Sequence, residues 1–405
     1  MTAPPLLELR NLTVGYRAPV VADLSLSFGR GQFVALLGAN GSGKTTLLRT
    51  ISRHIKPLSG EALINGQNVN DIKPSALAKI LSVVLTDRSS VPMLRALEFV
   101  ALGRHPHSDF LGRLKDRDLH MVESALEAVR ATDLADRFVD ELSDGERQKI
   151  VLARALAQEP TLMLLDEPTA HLDLKHRLEI LAILRGLCHS RELSVLAAVH
   201  DVESASKIAD LALTIKKGKL AGFGQPEAIL TPSAVRELYD CPQANFDSAL
   251  GGLEIATDGQ AGRAFVLAGT DKGALIFRLL AKHGYALSAG FFRPSDLDAH
   301  VALALGAKIL TLESLNNETS ANSDRLKQLF DEALLELDRC DLLAVAKGIS
   351  SGEPNFPVAA DLSERLVLEA QKRNLPIIKL GEANDLSPLI EFLGRLKAER
   401  SSQAA

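Results

Sequence analysis

A glycine-rich stretch near the start of the chain has the residue types and spacing of a phosphate-binding loop. It begins with a glycine, continues for four residues and ends in Gly-Lys-Thr. Its members and the residue after them are Gly38, Ala39, Asn40, Gly41, Ser42, Gly43, Lys44, Thr45 and Thr46. The glycines let backbone N–H groups turn towards a phosphate, and a helix that follows presents its positive end. We expect Lys44 to reach the β- and γ-phosphates of a nucleotide, and the Thr45 hydroxyl to ligate Mg²⁺.

Two adjacent acidic residues complete this predicted site. Four apolar residues precede Asp166 and Glu167, so the pattern places both acids at the tip of a buried strand. This position predicts that Asp166 holds Mg²⁺ through water and that Glu167 orients or deprotonates the attacking water. On their own, two such acids could merely solvate the end of a strand. Downstream of the glycine-rich loop, they indicate hydrolysis of a nucleoside triphosphate.

Short apolar segments predict the elements that position these residues. Residues 32–37 form a buried strand leading directly into the glycine-rich loop, and 195–199 form another. The region from about 90 to 157 has more helical periodicity. Further along, strands alternate with helices, which predicts a small parallel sheet covered by helices, a Rossmann-like arrangement. The predicted elements there are strands at 264–268, 285–289, 308–312, 342–346 and 376–380 and a helix at 274–283.

The length and composition predict two domains. A chain of 405 residues can bury two separate cores. After residue 240 a polar, Gly-rich and weakly periodic stretch indicates a boundary. We therefore predict a first domain at 1–240, a linker at 241–262 and an α/β domain at 263–405.

Composition excludes several classes of protein. The net charge of −5, the absence of Trp and the presence of only three Tyr argue against a nucleic-acid partner. Cys188, Cys241 and Cys340 have neither zinc-site nor disulfide spacing, which suits a reducing cytosol. No apolar run approaches the roughly 20 residues of a membrane helix, and the start of the chain lacks the pattern of a signal peptide.

Further motifs resemble those of the ABC ATPases over about six-tenths of the chain. The segment resembling the family signature Leu-Ser-Gly-Gly-Gln consists of Leu142, Ser143, Asp144, Gly145 and Glu146. Asp173 lies in a segment similar to the D-loop, and His200 matches the switch histidine that contacts the γ-phosphate. Tyr16 is similar to the aromatic residue that stacks on adenine. The resemblance implies an ATPase that uses ATP and Mg²⁺, with an antiparallel β subdomain and a helical subdomain beside the central α/β fold.

The same resemblance implies partners. In this family the signature of one subunit closes over the phosphate loop of another, so a chain with one of each is expected to form a homodimer. The segment Gly103-Arg104-His105-Pro106-His107 is similar to one in importers of ferric siderophores, haem and cobalamin. That branch implies a membrane permease, a substrate-binding protein and a location on the cytoplasmic face of the inner or plasma membrane. Alternatives are a soluble ABC ATPase acting on DNA or ribosomes, an ABC transporter for another substrate, and a weakly active regulatory subunit.

Two positions depart from the family pattern, and the second domain lies outside it. Thr86 stands where the family has the Q-loop glutamine, and the candidate substitutes are Asp87 beside it or a bridging water. Asp144 replaces the first signature glycine, and we expect its carboxylate to point away from the γ-phosphate. In the second domain, the turn at 267–273 could hold an anion at a helix N-terminus. A structural, dimer-stabilising or regulatory role is the alternative for that domain.

Overall fold

The computed structural model describes residues 4–85, 93–109, 113–242, 244–247, 251–268, 273–293, 296–312, 320–346, 357–381 and 385–403. The chain divides into two compact units, Met1–Asp240 and Cys241–Ala405. Among the described residues, no helix is both long enough and apolar enough to cross a membrane.

The first unit contains two sheets and a set of helices. Its strands are β1 (Leu7–Gly15), β2 (Pro19–Phe28), β3 (Phe33–Leu37), β4 (Ser59–Ile64), β5 (Gln67–Asn68), β6 (Leu81–Val84), β7 (Leu162–Asp166), β8 (Ser194–Ala198), β9 (Leu211–Lys216) and β10 (Lys219–Gly224). Its helices are α1 (Lys44–Ile51), α2 (Pro74–Ile80), α3 (Ala96–Ala101), α4 (Asp116–Ala128), α5 (Asp144–Ala157), α6 (Leu174–Arg191), α7 (Val202–Ile208), α8 (Pro226–Ile229) and α9 (Pro232–Leu238). Short 3₁₀ turns occupy Leu102–His107, Thr132–Leu134 and Val139–Glu141.

The central sheet of the first unit has the strand order β10-β9-β3-β8-β7-β6. Strands β9, β3, β8, β7 and β6 run parallel, and β10 pairs antiparallel with β9. Every residue of β3, β7 and β8 is buried, as expected for parallel strands covered on both faces. A separate antiparallel sheet has the order β2-β1-β4-β5, and α3, α4 and α5 pack together as a helical subdomain. The α/β fold and its two subdomains are confirmed.

The second unit is a parallel α/β sheet preceded by a hairpin. Its strands are β11 (Ala244–Asp247), β12 (Gly252–Ile255), β13 (Gly262–Leu267), β14 (Tyr285–Phe292), β15 (Lys308–Thr311), β16 (Leu342–Val345) and β17 (Ile377–Lys379). Its helices are α10 (Ala274–Lys282), α11 (Leu297–Ala304), α12 (Ser320–Leu337), α13 (Pro357–Lys372) and α14 (Ser387–Gln403). The parallel sheet has the order β15-β14-β13-β16-β17, the doubly wound order of Rossmann-like folds.

Helices cover both faces of that sheet. Apolar residues of α10, α11 and α14 pack against one face, and those of α12 and α13 pack against the other. All the strands predicted between 264 and 380 are present within two residues of their expected starts, and the helix predicted at 274–283 is α10. The predicted Rossmann-like second sheet is therefore confirmed.

The segment predicted as a linker, 241–262, has more structure than its composition indicated. It contains β11, β12 and the first residue of β13, and β11 pairs antiparallel with β12. Phe246 is buried with 1% of its surface exposed, and the Asp247 carboxylate lies 3.3 Å from Nδ1 of His300 on α11. The hairpin packs on α11, which is why it is ordered despite a polar, Gly-rich sequence. No periodicity could have shown this, because each strand has only four residues.

Candidate active site

The glycine-rich loop joins the buried strand β3 to helix α1, as its sequence predicts. Gly38, Gly41 and Gly43 have φ values of 156°, 77° and 103°, which residues other than glycine rarely adopt. Gly43 also lacks room, since a Cβ there would lie 2.4 Å from Cγ2 of Val21. The first turn of α1 contains no acidic residue, and no side chain caps its N-terminus. The amide groups at this helix end are therefore left for an anion.

Lys44 is held inside the loop by its own backbone. Its ammonium group donates hydrogen bonds to the carbonyl oxygens of Gly38 at 2.7 Å and Ala39 at 3.2 Å. Burial lowers the pKa of Lys44, while the carboxylates of Glu167 and Asp166 oppose that shift. A phosphate entering the loop would offer this ammonium group a charged acceptor in place of neutral carbonyl oxygens, and such bonds are stronger.

Strand β7 delivers the two acids to the same place. The hydroxyl of Thr45 donates to the Asp166 carboxylate at 3.1 Å, although the two residues are 121 positions apart. Asp166 is buried, with 4% of its surface exposed. A hydroxyl and a carboxylate side by side are the hard oxygen donors that Mg²⁺ prefers, so these two residues fit the ion for which the sequence proposed them.

Glu167 and His200 contact each other directly. Oε1 of Glu167 lies 2.5 Å from Nε2 of His200, and both side chains remain partly exposed to solvent. Glu167 has a left-handed backbone with φ of 54°, fixed by an N–H bond to the carbonyl oxygen of Ala198 on β8. Residues held in such sparsely populated conformations cluster at functional sites. The carboxylate is thus presented at the edge of the sheet beside the imidazole of His200, which follows β8.

The signature-like segment forms the start of α5. Ser143 is its N-cap and accepts a bond from the Glu146 N–H, while the Glu146 carboxylate accepts from the backbone N–H and the hydroxyl of Ser143, both at 2.9 Å. The hydrogen bond from the backbone N–H of Ser143 is the largest cause that lowers the pKa of Glu146. The bond from the Ser143 hydroxyl and the charge of Arg137 lower this pKa further. Leu142 and Gly145 are buried, and Asp144 is exposed in the first turn of α5.

The remaining predicted residues are placed as follows. Tyr16 lies in the turn between β1 and β2 with 62% of its surface exposed, so its ring is available to a ligand. Asp173 is the N-cap of α6. Thr86 and Asp87, predicted at the Q-loop position, lie outside the described residues. So does most of the turn predicted to hold an anion in the second unit.

Three contacting residues were not predicted from the sequence. Arg137 binds the Glu146 carboxylate at 3.0 Å, and His176 contacts both Asp173 and Gly145. Arg104 is only 1% exposed and binds Asp118 at 2.9 Å and Glu159 at 2.8 Å. Of the three, only Arg104 lies in a motif found in the sequence, the Gly103–His107 segment. His176 had the weak signal of an imidazole three residues after a helix N-cap aspartate.

Comparisons with known proteins agree with this geometry. Residues 21–170 match the family model described as ABC transporter. The chain is 40% identical over 287 residues to an uncharacterized ABC transporter ATP-binding protein of Methanocaldococcus jannaschii, covering 70% of this chain and 99% of that protein. It is 32% identical over 316 residues to the cobalamin import ATP-binding protein of Halobacterium salinarum, covering 76% of this chain and 79% of the relative.

Further similarity extends to iron-chelate transport proteins and to solved structures. The chain is 34% identical over 234 residues to the ferric enterobactin transport ATP-binding protein of Escherichia coli, covering 58% of this chain and 86% of that one. A solved structure of a proposed metal-chelate type ABC transporter, in an inward-facing conformation, is 30% identical with a TM-score of 0.52. The match covers 58% of this chain and 88% of the chain in that structure. This chain belongs to the ATP-binding proteins of ABC transporters, and it is an ATPase.

Proposed function

We propose that this ATPase powers import of an iron chelate or cobalamin through a separate membrane permease supplied by a substrate-binding protein. The observation that carries the proposal is the similarity to relatives named for cobalamin and ferric enterobactin transport, at 32% and 34% identity. The Gly103–His107 segment, which is similar to one in importers of ferric siderophores, haem and cobalamin, is consistent with this similarity. An ABC ATPase for another substrate, or one without a transport role, is the alternative.

The proposed chemistry uses the residues at the edge of the central sheet. Lys44 and the backbone of the glycine-rich loop bind the β- and γ-phosphates of ATP, and Tyr16 stacks on adenine. Thr45 directly, and Asp166 through water, would hold Mg²⁺, which would neutralise phosphate charge. Glu167 orients the attacking water and accepts its proton, and His200 holds that carboxylate in place and contacts the γ-phosphate.

The proposed active form is a homodimer on the cytoplasmic face of the membrane. The sequence contains one glycine-rich loop and one signature-like segment, so one chain supplies half of each site. ATP binding would close the dimer with the signature of each chain over the other's nucleotide, and hydrolysis would reopen it. Ser143 and Gly145 would approach the γ-phosphate of the partner's ATP, with Asp144 directed away from it.

Inside the helical subdomain, the Gly103–His107 segment is tightly built. A Cβ on Gly103 would lie 2.1 Å from the carbonyl oxygen of Arg154, and Arg104 donates to the carbonyl oxygen of Ala157 on α5. His107 contacts the carbonyl oxygen of Gln158 at 3.0 Å. These contacts support a role in shaping the subdomain. They do not support direct contact with the transported substrate, since Arg104 is buried.

Uptake in a strain lacking this chain tests the importer proposal. Radiolabelled ferric siderophore, haem iron and cobalamin are supplied, and the strain is complemented with the wild type, Lys44→Ala or Glu167→Gln. We expect uptake of one substrate to fall and only the wild type to restore it, because both variants lack turnover. Lys282→Ala, which changes an exposed lysine of the second unit, should restore uptake fully. If no substrate depends on the chain, or if Lys44→Ala restores uptake, the proposal is wrong.

We also propose a regulatory role for residues 263–405. What supports it is that a separate α/β sheet with its own apolar core is carried on the same chain as the ATPase unit. In the same strain, a chain ending at Asp240 should keep uptake but lose its response to accumulated substrate. Unchanged uptake with an unchanged response would contradict this role.

A further inference from the structure

His176 lies between two elements that the proposed dimer uses. It is in the first turn of α6, and its side chain is 24% exposed. On one side of it is the signature-like segment at the start of α5, and on the other is the D-loop aspartate. No role was assigned to it by motif or by spacing.

The imidazole ring packs directly on the signature glycine. A Cβ on Gly145 would lie 2.3 Å from both Cγ and Cδ2 of His176, so the ring occupies the space that a side chain there would fill. Nearby, the ammonium group of Lys149 on α5 binds the carboxylate of Glu179 on α6 at 2.7 Å. The two helices are therefore held together beside the ring, and a shift of the signature turn displaces the imidazole.

His176 also binds the D-loop aspartate. Oδ1 of Asp173 lies 2.8 Å from the backbone nitrogen of His176 and 2.9 Å from its Nδ1. The hydrogen bond from the backbone N–H of His176 is the largest cause that lowers the pKa of Asp173, and the bond from the His176 ring lowers it further. Because an ionised carboxylate can only accept, Nδ1 carries the proton in this bond. One oxygen of Asp173 is thus bound twice by the same residue.

The segment from Glu167 to Asp173 links this contact to the catalytic carboxylate. Glu167 and His171 within it have left-handed backbones, with φ of 54° and 63°. The Ala170 N–H donates to the carbonyl oxygen of Glu167 at 3.1 Å. A segment with two such residues and an internal bond has few alternative conformations. This short segment is therefore the covalent connection through which a displacement of Asp173 would reach Glu167.

We propose that His176 is a positioning residue that makes the signature turn and the D-loop of one chain move together. The proposal rests on the homodimer proposed above. Closure of a signature over the partner's ATP displaces Gly145, and His176 passes that displacement through Asp173 to Glu167 of its own chain. Each site is thereby made competent by nucleotide in the other, so ATP hydrolysis is cooperative.

A double-mutant cycle on the full chain tests the contact. His176→Phe keeps a ring against Gly145 but cannot donate to Asp173, and Asp173→Ala removes the acceptor. We expect each change to lower kcat about tenfold and to bring the Hill coefficient for ATP close to 1, with the Kd for ATP within about twofold of wild type. The double variant should lose no more than Asp173→Ala alone, because that change already removes the ring contact that His176→Phe removes.

Two further variants separate positioning from packing. His176→Asn supplies an amide N–H to Asp173, and it should recover kcat to within about threefold of wild type. His189→Phe makes the same substitution on an exposed histidine of α6 and should leave kcat and cooperativity unchanged. Thermal unfolding of each variant checks that the first unit is folded.

Three results would overturn the inference. They are wild-type kcat with wild-type cooperativity in His176→Phe, losses that add in the double variant, and no recovery in His176→Asn. The homodimer is tested separately with Glu167→Gln, whose mass in solution should double when ATP is added. Failure of that doubling contradicts the dimer, whereas doubling together with an additive cycle contradicts only the role of His176.

Discussion

The two units share one arrangement of strand and helix, but the N-terminal end of the helix is uncapped in the first unit and bound by a carboxylate in the second. In each unit a buried parallel strand near the middle of a sheet leads into a helix, β3 into α1 and β13 into α10. At α1 no carboxylate lies in the first turn and no side chain caps the end. At α10 the Asp298 carboxylate accepts bonds from the backbone N–H groups of Gly273 and Ala274, at 2.9 and 3.0 Å.

Asp298 occupies the position in which an anionic ligand would bind. It comes from α11, is fully buried, and binds the Gly273 N–H through both of its oxygens. A phosphate near these amide groups would be repelled by the carboxylate and would find its donors already used. The end of the predicted anion turn that the structure describes is thus satisfied internally. The comparison shows that one strand-to-helix arrangement can leave the amide groups of the helix end uncapped, as at α1, or close them with a carboxylate, as at α10.

The largest expected effect is at the helix end that is open. Lys44→Ala removes the ammonium group that would meet the β- and γ-phosphates, so we expect the Kd for ATP to rise about 100-fold, the loss of one charge-assisted hydrogen bond. Titration with a fluorescent ATP analogue measures this change. Lys282→Ala, at the end of α10, should keep the wild-type Kd. An equal loss in both variants would remove the distinction between the two helices.

A smaller effect, on stability rather than on binding, is expected at the occupied helix end. Asp298→Ala leaves two amide groups without their acceptor and removes a charge that favours the helix, which should cost about 3 kcal/mol. For a unit of this size that loss lowers the melting temperature by roughly 6–12 °C. Calorimetry identifies the second unit as the transition that ATP does not shift, because a ligand stabilises only the unit that binds it.

The control for this prediction is an aspartate of the same unit that faces solvent. Asp324→Ala on α12 changes an exposed residue and should shift the transition by less than about 0.5 kcal/mol. The Kd for ATP should be unchanged in both variants. Loss of ATP affinity in Asp298→Ala, or a stability equal to that of Asp324→Ala, would contradict the contrast between the two units.

Most of the fold could be predicted from the sequence because short segments carry its signals, namely apolar runs, glycine-rich turns and helical periodicity. Continuous apolar runs such as β7 predict buried parallel strands, and the glycine-rich loop predicts the strand-to-helix turn that carries Lys44. The order of the motifs then brings Thr45 beside Asp166 and Glu167 beside His200. These contacts follow from a simple rule, since the carboxyl ends of parallel strands meet at one edge of a sheet.

Contacts made by packing left no such pattern. Asp298 lies 24 positions after the helix end that it caps, and an aspartate early in a helix more often serves its own N-terminus. His176 contacts Gly145 only because α5 and α6 pack side by side. Arg104 was part of a segment associated with transported substrates, yet its partners on α4 and beside α5 make it a buried structural residue. All three contacts depend on how side chains of elements distant in sequence pack together.

The smallest expected effect compares the two units through their cysteines. Burial, the largest cause in each case, raises the pKa of Cys188 and of Cys340 to about 12, and Cys188 belongs to the first unit and Cys340 to the second. Cys241 is exposed. Since the thiolate is the reactive form, iodoacetamide at pH 7.5 should modify Cys241 while the two buried thiols stay unmodified, as mass spectrometry of the peptides would reveal.

With rising urea, each buried thiol then reports the opening of its own unit. ATP should raise the urea concentration at which Cys188 is modified, because nucleotide stabilises the unit that binds it, and should leave the concentration for Cys340 unchanged. Asp298→Ala should lower the value for Cys340 alone. Cys241→Ser serves as the control and should abolish labelling of the native chain. If ATP protected both buried thiols equally, the open and occupied helix ends would not distinguish the two units.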